Sequence, residues 1–258
     1  MTSESIASVR QLHAARPRPV EGRYAHGAAA DLHASGSTTL ERPVPVRDSW
    51  TLRLLNVSVA AIGLVLAAPL MLLIAIAIKL TSPGPVFFTQ VRVGIDRRRN
   101  KSSPSGYRRT IDYGGRLFKL YKFRTMVPDA DRAGAVWASP DDPRVTPIGR
   151  ILRAYRLDEL PQLINVLKGD MNIVGPRPEQ PAIFMRLREQ IEGYAERQHV
   201  LPGITGWAQI NQHYDSSIED VRRKLQYDLE YIRRRSALED LKIMLRTLPV
   251  IAFRLGAW

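Results

Sequence analysis

Two adjacent carboxylates, Asp158 and Glu159, lie in the segment RLDELPQ of a strongly basic chain. We predict that Asp158 is the N-cap of a helix with Pro161 in its first turn. Backbone N–H groups at a helix N-terminus favour ionised carboxylates and bound anions. An ionised Asp158 could act as a nucleophile, and Glu159 beside it could help to hold Mg²⁺. The pair therefore predicts phosphoryl chemistry, with a purely structural N-cap as the alternative.

Basic side chains in several other segments could complete such a site. Arg177 lies in GPRPE, where two prolines stiffen the loop and fix the place of the guanidinium. A solvated arginine in a rigid turn is the alternative there. Basic residues that follow a membrane segment also commonly face lipid headgroups. Besides Arg177, the candidates for phosphate binding are Arg92, Lys122 and Arg124.

Composition excludes several classes of site and leaves the partner open. The chain has no cysteine, which rules out disulfides and thiolate nucleophiles. Its histidines do not have metal-ligand spacing, and neither a Walker loop nor a Rossmann glycine pattern is present. The net charge of +13 predicts an anionic partner: nucleic acid, a phospholipid surface or a phosphorylated substrate.

A run of 25 uncharged residues, 54–78, predicts a membrane helix. At about 1.5 Å per residue it is long enough for a hydrocarbon core of roughly 30 Å. Positive residues flank both ends, so the positive-inside rule does not choose an orientation. Pro69 near the middle predicts a kink. A bent, re-entrant helix and an ordinary spanning helix both fit these residues.

The remaining elements follow from local patterns. Residues 1–48 lack periodicity and predict a mobile tail, and 95–115 form a polar insert between two short strands. Thr146 and Pro147 predict the start of a helix. Patterns like a capping box at Ser217 and Ser236 predict two more amphipathic helices. The last one suits a bilayer surface, with a buried core helix as the alternative.

Five ordered motifs resemble the bacterial sugar transferases, the small monotopic phosphoglycosyl transferases. The resemblance extends from about Arg53 to Leu248. Its longest motif has 23 residues and contains the Asp-Glu pair. The motifs are SPGPVFFTQVRVG (82–94), FKLYKFRTM (118–126), DPRVTPIGRILR (142–153), LDELPQLINVLKGDMNIVGPRPE (157–179) and PGITGWAQIN (202–211).

The resemblance implies a reaction and roles for individual residues. A nucleoside diphosphate sugar, usually a UDP-sugar, donates its sugar phosphate to undecaprenyl phosphate and UMP leaves. Asp158 matches the nucleophile that forms a covalent phosphosugar intermediate, and Glu159 would assist through Mg²⁺ coordination or proton transfer. Arg153 and Arg177 match positions associated with phosphate binding. The implied partners are the nucleotide sugar, the polyprenyl phosphate and membrane phospholipid, without nucleic acid; a homo-oligomer is left open.

The resemblance also implies a fold and a location. The fold class is α+β and mainly helical, with a membrane-embedded re-entrant helix, amphipathic interfacial helices and a small β-hairpin. The expected organisation is a tail at 1–48, the re-entrant helix at 49–80 and a cytoplasmic transferase domain at 81–258 with an interfacial C-terminal helix. The location implied is the bacterial inner membrane, with the catalytic domain facing the cytoplasm.

Some positions depart from the family pattern, and rival functions remain. Ala68-Pro69 replaces a usual Ser-Pro pair, Asn56 replaces a usual acidic residue, and Leu201 replaces a frequent Arg. The insert at 95–115 is longer than the usual loop and could affect donor choice.

A metal-dependent nucleotide-sugar hydrolase is the closest rival. A membrane scaffold would explain the ends of the chain but not the acidic pair and the stiff Arg-bearing loop. A nucleic-acid binder would explain the charge, but the basic residues lie largely around the membrane segment.

Overall fold

A computed structural model describes residues 49–96, 112–128, 130, 142–212 and 217–253. All of these residues belong to one unit of the chain, 42–258. The predicted tail at 1–48 and most of the insert at 95–115 lie outside the described residues.

The described part is mainly helical, as predicted, with two small sheets. The helices are α1 (Trp50–Thr81), α2 (Pro147–Ala154), α3 (Gln162–Lys168), α4 (Pro181–Gln190), α5 (Trp207–Asn211), α6 (Ile218–Arg234) and α7 (Ala237–Ala252); the strands are β1 (Phe87–Val93), β2 (Leu117–Phe123), β3 (Asn172–Val174) and β4 (Gly203–Thr205).

The strands form one antiparallel and one parallel pair. β1 pairs with β2 in the register Phe87 to Phe123, which confirms the two strands predicted around the insert. β3 pairs in parallel with β4, and no sequence pattern predicted this second sheet. Strands of three residues are too short to show a period of two. Gly175 and Gly203 allow their close approach, because a Cβ at Gly203 would collide with the Gly175 backbone.

Helix α1 is long and apolar enough to cross a membrane, judged by length and composition. Ser49 caps its start by accepting from the Leu52 N–H (3.2 Å), and the helix continues through Pro69. Only 11% of its most apolar window is buried, which differs from the core helix of a soluble protein. Large apolar side chains in its middle, such as Val65 and Leu66, are 73% and 76% exposed.

Both ends of α1 pack on the same folded unit. Near the N-terminus, Asn56 is fully buried: its amide donates to the Leu52 carbonyl (2.7 Å), and its Oδ1 accepts from the Ile173 N–H of β3 (2.6 Å). Near the C-terminus, Ile74 and Ile78 pack in a small core with Phe123 and Leu152. Asn56, which stands where the family usually has an acidic residue, therefore docks α1 on β3. Its amide can donate to one backbone group and accept from the other.

The C-terminal helices begin where the capping patterns predicted. Ser217 and Asp220 form a reciprocal capping box at α6, and Ser236 accepts from the Glu239 N–H at α7. Ile243 of α7 is buried, whereas an apolar row faces outward. The exposed fractions in that row are Leu238 63%, Leu241 44%, Leu245 58%, Leu248 62% and Phe253 74%.

Candidate active site

The two carboxylates lie in a 3₁₀ turn, Leu157–Glu159, between α2 and α3. The prediction that Asp158 is a helix N-cap is wrong, because α3 begins only at Gln162 and Pro161 stands before it. Arg156 has left-handed backbone angles (φ 54°), which end α2 and reverse the chain. The Glu159 N–H then donates to the Arg156 carbonyl (3.1 Å). The turn brings both carboxylates into the interior, each in a residue that is 7% exposed.

Glu159 is held by two cations from different elements. Lys122 of β2 donates from Nζ to Oε1 (2.9 Å), and Arg177 donates from Nη2 to the same oxygen (2.6 Å). Arg177 also donates from Nη1 to Oε2 (3.3 Å). These cations outweigh the opposing effect of burial and hold the pKa of Glu159 well below its usual range. Glu159 is therefore a fixed anion that orients Lys122 and Arg177.

Asp158 has a different environment although it adjoins Glu159. Its Oδ2 lies 3.8 Å from Lys122 Nζ, a longer ion pair than the one that Glu159 makes. Burial raises the pKa of Asp158, the Glu159 charge raises it further, and Lys122, Arg177 and Arg153 oppose both effects. A carboxylate with a raised pKa is more basic, and its oxygens are less engaged by donors. These are the properties of a nucleophile held beside positive charge.

The other predicted phosphate-binding residues divide into two groups. Arg153 donates from Nε to the Thr125 hydroxyl (3.0 Å), and its charge acts on Asp158. Arg92 donates to the Pro178 carbonyl (3.1 Å), and burial lowers its pKa to about 10. Both therefore border the carboxylate turn.

Arg124 has a structural environment instead. Its guanidinium donates to the carbonyls of Ser82 and Pro83, in the turn that follows α1. The residue is 7% exposed. Both terminal nitrogens of Arg124 are thus engaged by backbone acceptors. Phosphate binding by this residue stays a prediction.

A buried charge network that no sequence motif predicted lies beside the site. Arg197 is 1% exposed, and its Nη2 lies 2.7 Å from Oδ2 of Asp228 on α6. Glu179 pairs with Lys224 (3.0 Å) and with Arg197 (3.4 Å). Lys224 and Arg197 hold the pKa of Glu179 at about 2 against the effect of burial. Lys224 and Asp228 lie four residues apart on α6, and this spacing of opposite charges is the local sign of such a network in the sequence.

The donor set suits Mg²⁺ that arrives with a phosphorylated substrate. Among the described residues, no group of three or more His, Cys, Asp or Glu side chains could hold a metal. Mg²⁺ commonly uses one or two protein carboxylates and completes its shell with water and phosphate oxygens. Asp158 and Glu159 match that number, and Asp158 is the less engaged of the two. The residues present thus fit the ion without forming a protein cage.

Comparison with protein families gives the site its context. The family model described as bacterial sugar transferase matches residues 47–254. This chain belongs to that family. The matched region contains every candidate residue of the site and all of α1.

Several relatives of this bacterial sugar transferase carry named activities. A UDP-N-acetylgalactosamine-undecaprenyl-phosphate N-acetylgalactosaminephosphotransferase of Aeromonas hydrophila is 40% identical over 79% of this chain and 44% of its own length. A UDP-glucose:undecaprenyl-phosphate glucose-1-phosphate transferase of Escherichia coli K12 is 42% identical over 74% of this chain and 38% of its own. A transferase of the same name from Caulobacter vibrioides is 43% identical over 76% of this chain and 68% of its own length. The chain thus spans about two fifths of the first two relatives.

Proposed function

We propose that this protein transfers a sugar 1-phosphate from a UDP-sugar to undecaprenyl phosphate and releases UMP. The observation that carries the proposal is the pairing at the 3₁₀ turn: Glu159 orients Lys122 and Arg177, while the adjacent Asp158 keeps a loosely held carboxylate. The activities named for the relatives supply the substrate classes. The reaction would be the first membrane step of exopolysaccharide or other glycan assembly.

The first step is attack on the sugar-linked phosphorus of the donor. An oxygen of Asp158 forms a bond to that phosphorus, and the bond from phosphorus to the bridging oxygen breaks. UMP leaves with the bridging oxygen and its electron pair, and the sugar phosphate remains on Asp158 as an acyl phosphate. Lys122 and Arg177, both bound to Glu159, would stabilise the charge on the phosphate oxygens.

The second step passes the group to the lipid. A phosphate oxygen of undecaprenyl phosphate attacks the same phosphorus, and the bond to Asp158 breaks. The carboxylate is regenerated, and the product is a lipid-linked sugar diphosphate. Because the group passes between oxygens that are already ionised, this step needs no net proton transfer. Glu159 therefore acts by holding Lys122 and Arg177 in place. In this scheme Arg153 and Arg92 contact the outer phosphate oxygens of the donor.

Mg²⁺ would be held by Asp158 and Glu159 together with oxygens of the diphosphate. When bound, the ion would neutralise charge on the diphosphate and make UMP a better leaving group. The binding of Mg²⁺ at Glu159 would have to compete with Lys122 and Arg177. Asp158 is consequently the carboxylate that we expect the ion to reach first.

We further propose that α1 is re-entrant, with both ends on the cytoplasmic side of the bacterial inner membrane. The support is the docking of both ends: Asn56 bonds to Ile173, and Ile78 packs with Phe123 and Leu152. A straight spanning helix would place its ends on opposite sides of the bilayer. The region 49–80 is then the membrane anchor, and 81–258 is the cytoplasmic transferase domain.

Helix α7 would lie at the bilayer surface in this arrangement. Its outward row of Leu238, Leu241, Leu245 and Leu248 is exposed in the described structure, which a buried core helix would not be. Lys242 and Arg246 lie on the same helix, where they can meet anionic headgroups.

The experiment that tests the transferase is release of UMP from a panel of UDP-sugars by detergent-solubilised protein with Mg²⁺. We expect multiple turnovers only when undecaprenyl phosphate is present, and only with one or two sugars. A hydrolase would instead turn over without the lipid, because water would accept the sugar phosphate. A membrane scaffold would release no UMP in either condition.

A further inference from the structure

The indole ring of Trp207, at the start of α5, contacts an arginine from each of two other helices. The guanidinium carbon of Arg234 on α6 lies 4.1 Å from the ring centroid, and that of Arg246 on α7 lies at 5.5 Å. The indole N–H donates to Oε2 of Glu230 (2.9 Å), which holds the ring at its edge. A guanidinium within about 6 Å of an aromatic centroid is attracted to the ring. Trp207 therefore brings two positive side chains together.

The two arginines differ in their ion pairs. Arg234 lies between two carboxylates: its Nη1 is 2.9 Å from Glu230, and its Nε is 3.2 Å from Glu239. Lys242 of α7 also reaches Glu239, at 3.8 Å. Within the part of the chain that the structure describes, the exposed guanidinium of Arg246 forms no ion pair and no hydrogen bond. Three cations thus share two carboxylates, and Arg246 is the one without a carboxylate partner.

The contact with Trp207 prepares Arg246 to bind an anion. A guanidinium that is drawn to an aromatic ring can still donate from the N–H groups that point away from it. Those groups form a planar fork that matches the oxygens of a phosphate. The ring also restricts the side chain before any ligand arrives, which reduces the entropy that binding costs.

The position of Arg246 on α7 indicates which phosphate it would meet. Helix geometry of roughly 100° per residue places Lys242 and Arg246 along the same border of the outward apolar row of α7. An apolar helix face that is bordered by basic side chains and an indole ring is typical of a membrane interface. The phosphates at the height of such a border are those of phospholipid headgroups.

We propose that Arg246, oriented by Trp207, binds the headgroup phosphate of an anionic phospholipid while the outward row of α7 enters the acyl region. This inference deepens the proposed function, because it rests on the placement of α7 at the bilayer surface and names a lipid contact there. The ligand is a phospholipid and not the acceptor. Helix α7 packs mainly on α1, α5, β3 and β4, whereas the 3₁₀ turn of the acid pair packs mainly on α2 and β2.

The test uses a fluorescent bimane label on Leu245→Cys, a unique thiol because the natural chain has no cysteine. The protein is placed in nanodiscs of phosphatidylcholine and phosphatidylglycerol at a fixed ratio, without undecaprenyl phosphate. Bromine, which quenches the label, is carried on the acyl chains of one lipid at a time. Quenching by phosphatidylglycerol beyond its mole fraction measures its enrichment beside Arg246. We expect about fivefold enrichment, equivalent to roughly 1 kcal/mol for one basic residue at an anionic surface.

Variants in the labelled protein separate a binding site from general surface charge. Arg246→Gln should reduce the enrichment to the mole fraction. The matched control is Arg233→Gln, which removes an exposed α6 arginine that contacts no aromatic ring among the described residues. Trp207→Leu keeps every charge and should also lower the enrichment, whereas Trp207→Phe, which keeps a ring, should retain more of it. Thermal unfolding checks that each variant is folded.

Two results would overturn the site at Arg246. Unchanged enrichment in Arg246→Gln would show that Arg246 does not bind the phosphate. Equal losses in Arg246→Gln and Arg233→Gln would show that surface charge alone attracts the lipid.

The same label distinguishes failure of this inference from failure of the proposed function. Quenching by both brominated lipids in simple proportion to their mole fractions would support α7 at the bilayer and refute the headgroup site. A label that neither lipid quenches would refute the placement of α7, and the headgroup site with it. None of these readings depends on UMP release. A wild type that is inactive with every donor would therefore refute the transferase, while enrichment lost in Arg246→Gln would still support the lipid site.

Discussion

At the scale of single residues, the two adjacent carboxylates have opposite electrostatic surroundings. Glu159 is paired with Lys122 and Arg177, and its pKa is held well below the usual range. The pKa of Asp158 is raised by burial and by the Glu159 charge. Neighbouring carboxylates with pKa values pushed apart commonly have different roles. In the proposed mechanism, this difference corresponds to attack by Asp158 and cation positioning by Glu159.

Asp158→Asn should abolish turnover, because the amide cannot form the phosphosugar intermediate. We expect kcat to fall by at least about a thousandfold, as when other enzymes lose a nucleophile. Association with membranes should be unchanged, since α1 is untouched. The measurement is UMP release together with flotation on liposomes, and Glu189→Gln on the exposed side of α4 is the control. Near-normal turnover in Asp158→Asn would remove Asp158 from the mechanism.

The pH dependence of the rate should report the raised pKa of Asp158. The carboxylate must be ionised to attack, so kcat/KM falls as pH drops through that value. Lys122 lowers the pKa of Asp158, so Lys122→Met should raise it and move the acid limb to higher pH. Lys168→Met, which removes a lysine that bonds to the Tyr121 hydroxyl, should leave the limb in place. The measurement is the profile of kcat/KM against pH for each variant. An acid limb that moved to lower pH in Lys122→Met would contradict this electrostatic account.

At the scale of elements, the site depends on how α1 docks on the elements that carry it. Arg53 of α1 donates to the Val166 and Leu167 carbonyls at the end of α3 (2.8 and 3.0 Å). The Val166 carbonyl also accepts from the N–H of Gly169, which caps α3 (3.0 Å), and the guanidinium adds donors at this C-terminus. Asn56, one turn further along α1, fixes β3. Helix α1 thereby contacts α3, which follows the Asp-Glu turn, and β3, which precedes the Arg177 loop.

Asn56→Leu should weaken this docking, because the Ile173 N–H would lose its buried acceptor. An unsatisfied buried donor costs about 1–3 kcal/mol. We expect a lower midpoint of thermal unfolding in detergent and a matching loss of activity at raised temperature. The matched control is Asn211→Leu: Asn211 also donates to the carbonyl four residues earlier, but it is exposed. That change should alter the free energy of unfolding by less than about 0.5 kcal/mol. Equal effects in the two variants would contradict the docking role.

At the scale of the whole molecule, the outward apolar surfaces of the described unit support the proposed binding to one side of a bilayer. The middle of α1 is exposed and uncharged, while Leu52 and Asn56 near one end and Ile74 and Ile78 near the other are buried against the unit. The outward row of α7 adds a second apolar face with basic neighbours. A protein bound from one side would bury both surfaces in lipid and keep Asp158 near the headgroups, where a lipid phosphate lies.

Single cysteines can test this one-sided arrangement, since the natural chain contains none. Thr51→Cys and Thr81→Cys place a thiol at exposed positions near the two ends of α1. In intact bacterial cells with a permeable outer membrane, we expect an impermeant maleimide to label neither variant. Both should be labelled after the inner membrane is opened. Labelling of one variant in intact cells would show a spanning helix.

Much of the site could be predicted from local patterns, because capping and apolar runs depend on neighbours in sequence. Thr146 and Ser217 were correctly identified as helix caps, and the uncharged run at 54–78 falls within α1. The resemblance to the sugar transferases pointed to Asp158, Glu159 and Arg177 before any contact was known. The N-cap at Asp158 was wrong, because the left-handed turn at Arg156 has no glycine or asparagine to signal it.

The sequence by itself determined the kind of protein this is: a basic chain with an apolar anchor, an Asp-Glu pair and a stiff Arg-bearing loop. Only the tertiary structure decided how these parts act together. Arg177 is 18 residues from Glu159 and Lys122 is 37 residues away, yet both bind the same carboxylate. Contacts between distant segments leave no periodic trace in a sequence. For the same reason Asn56 gave no sign of its bond to β3, nor Arg197 of its hold on the Arg177 carbonyl.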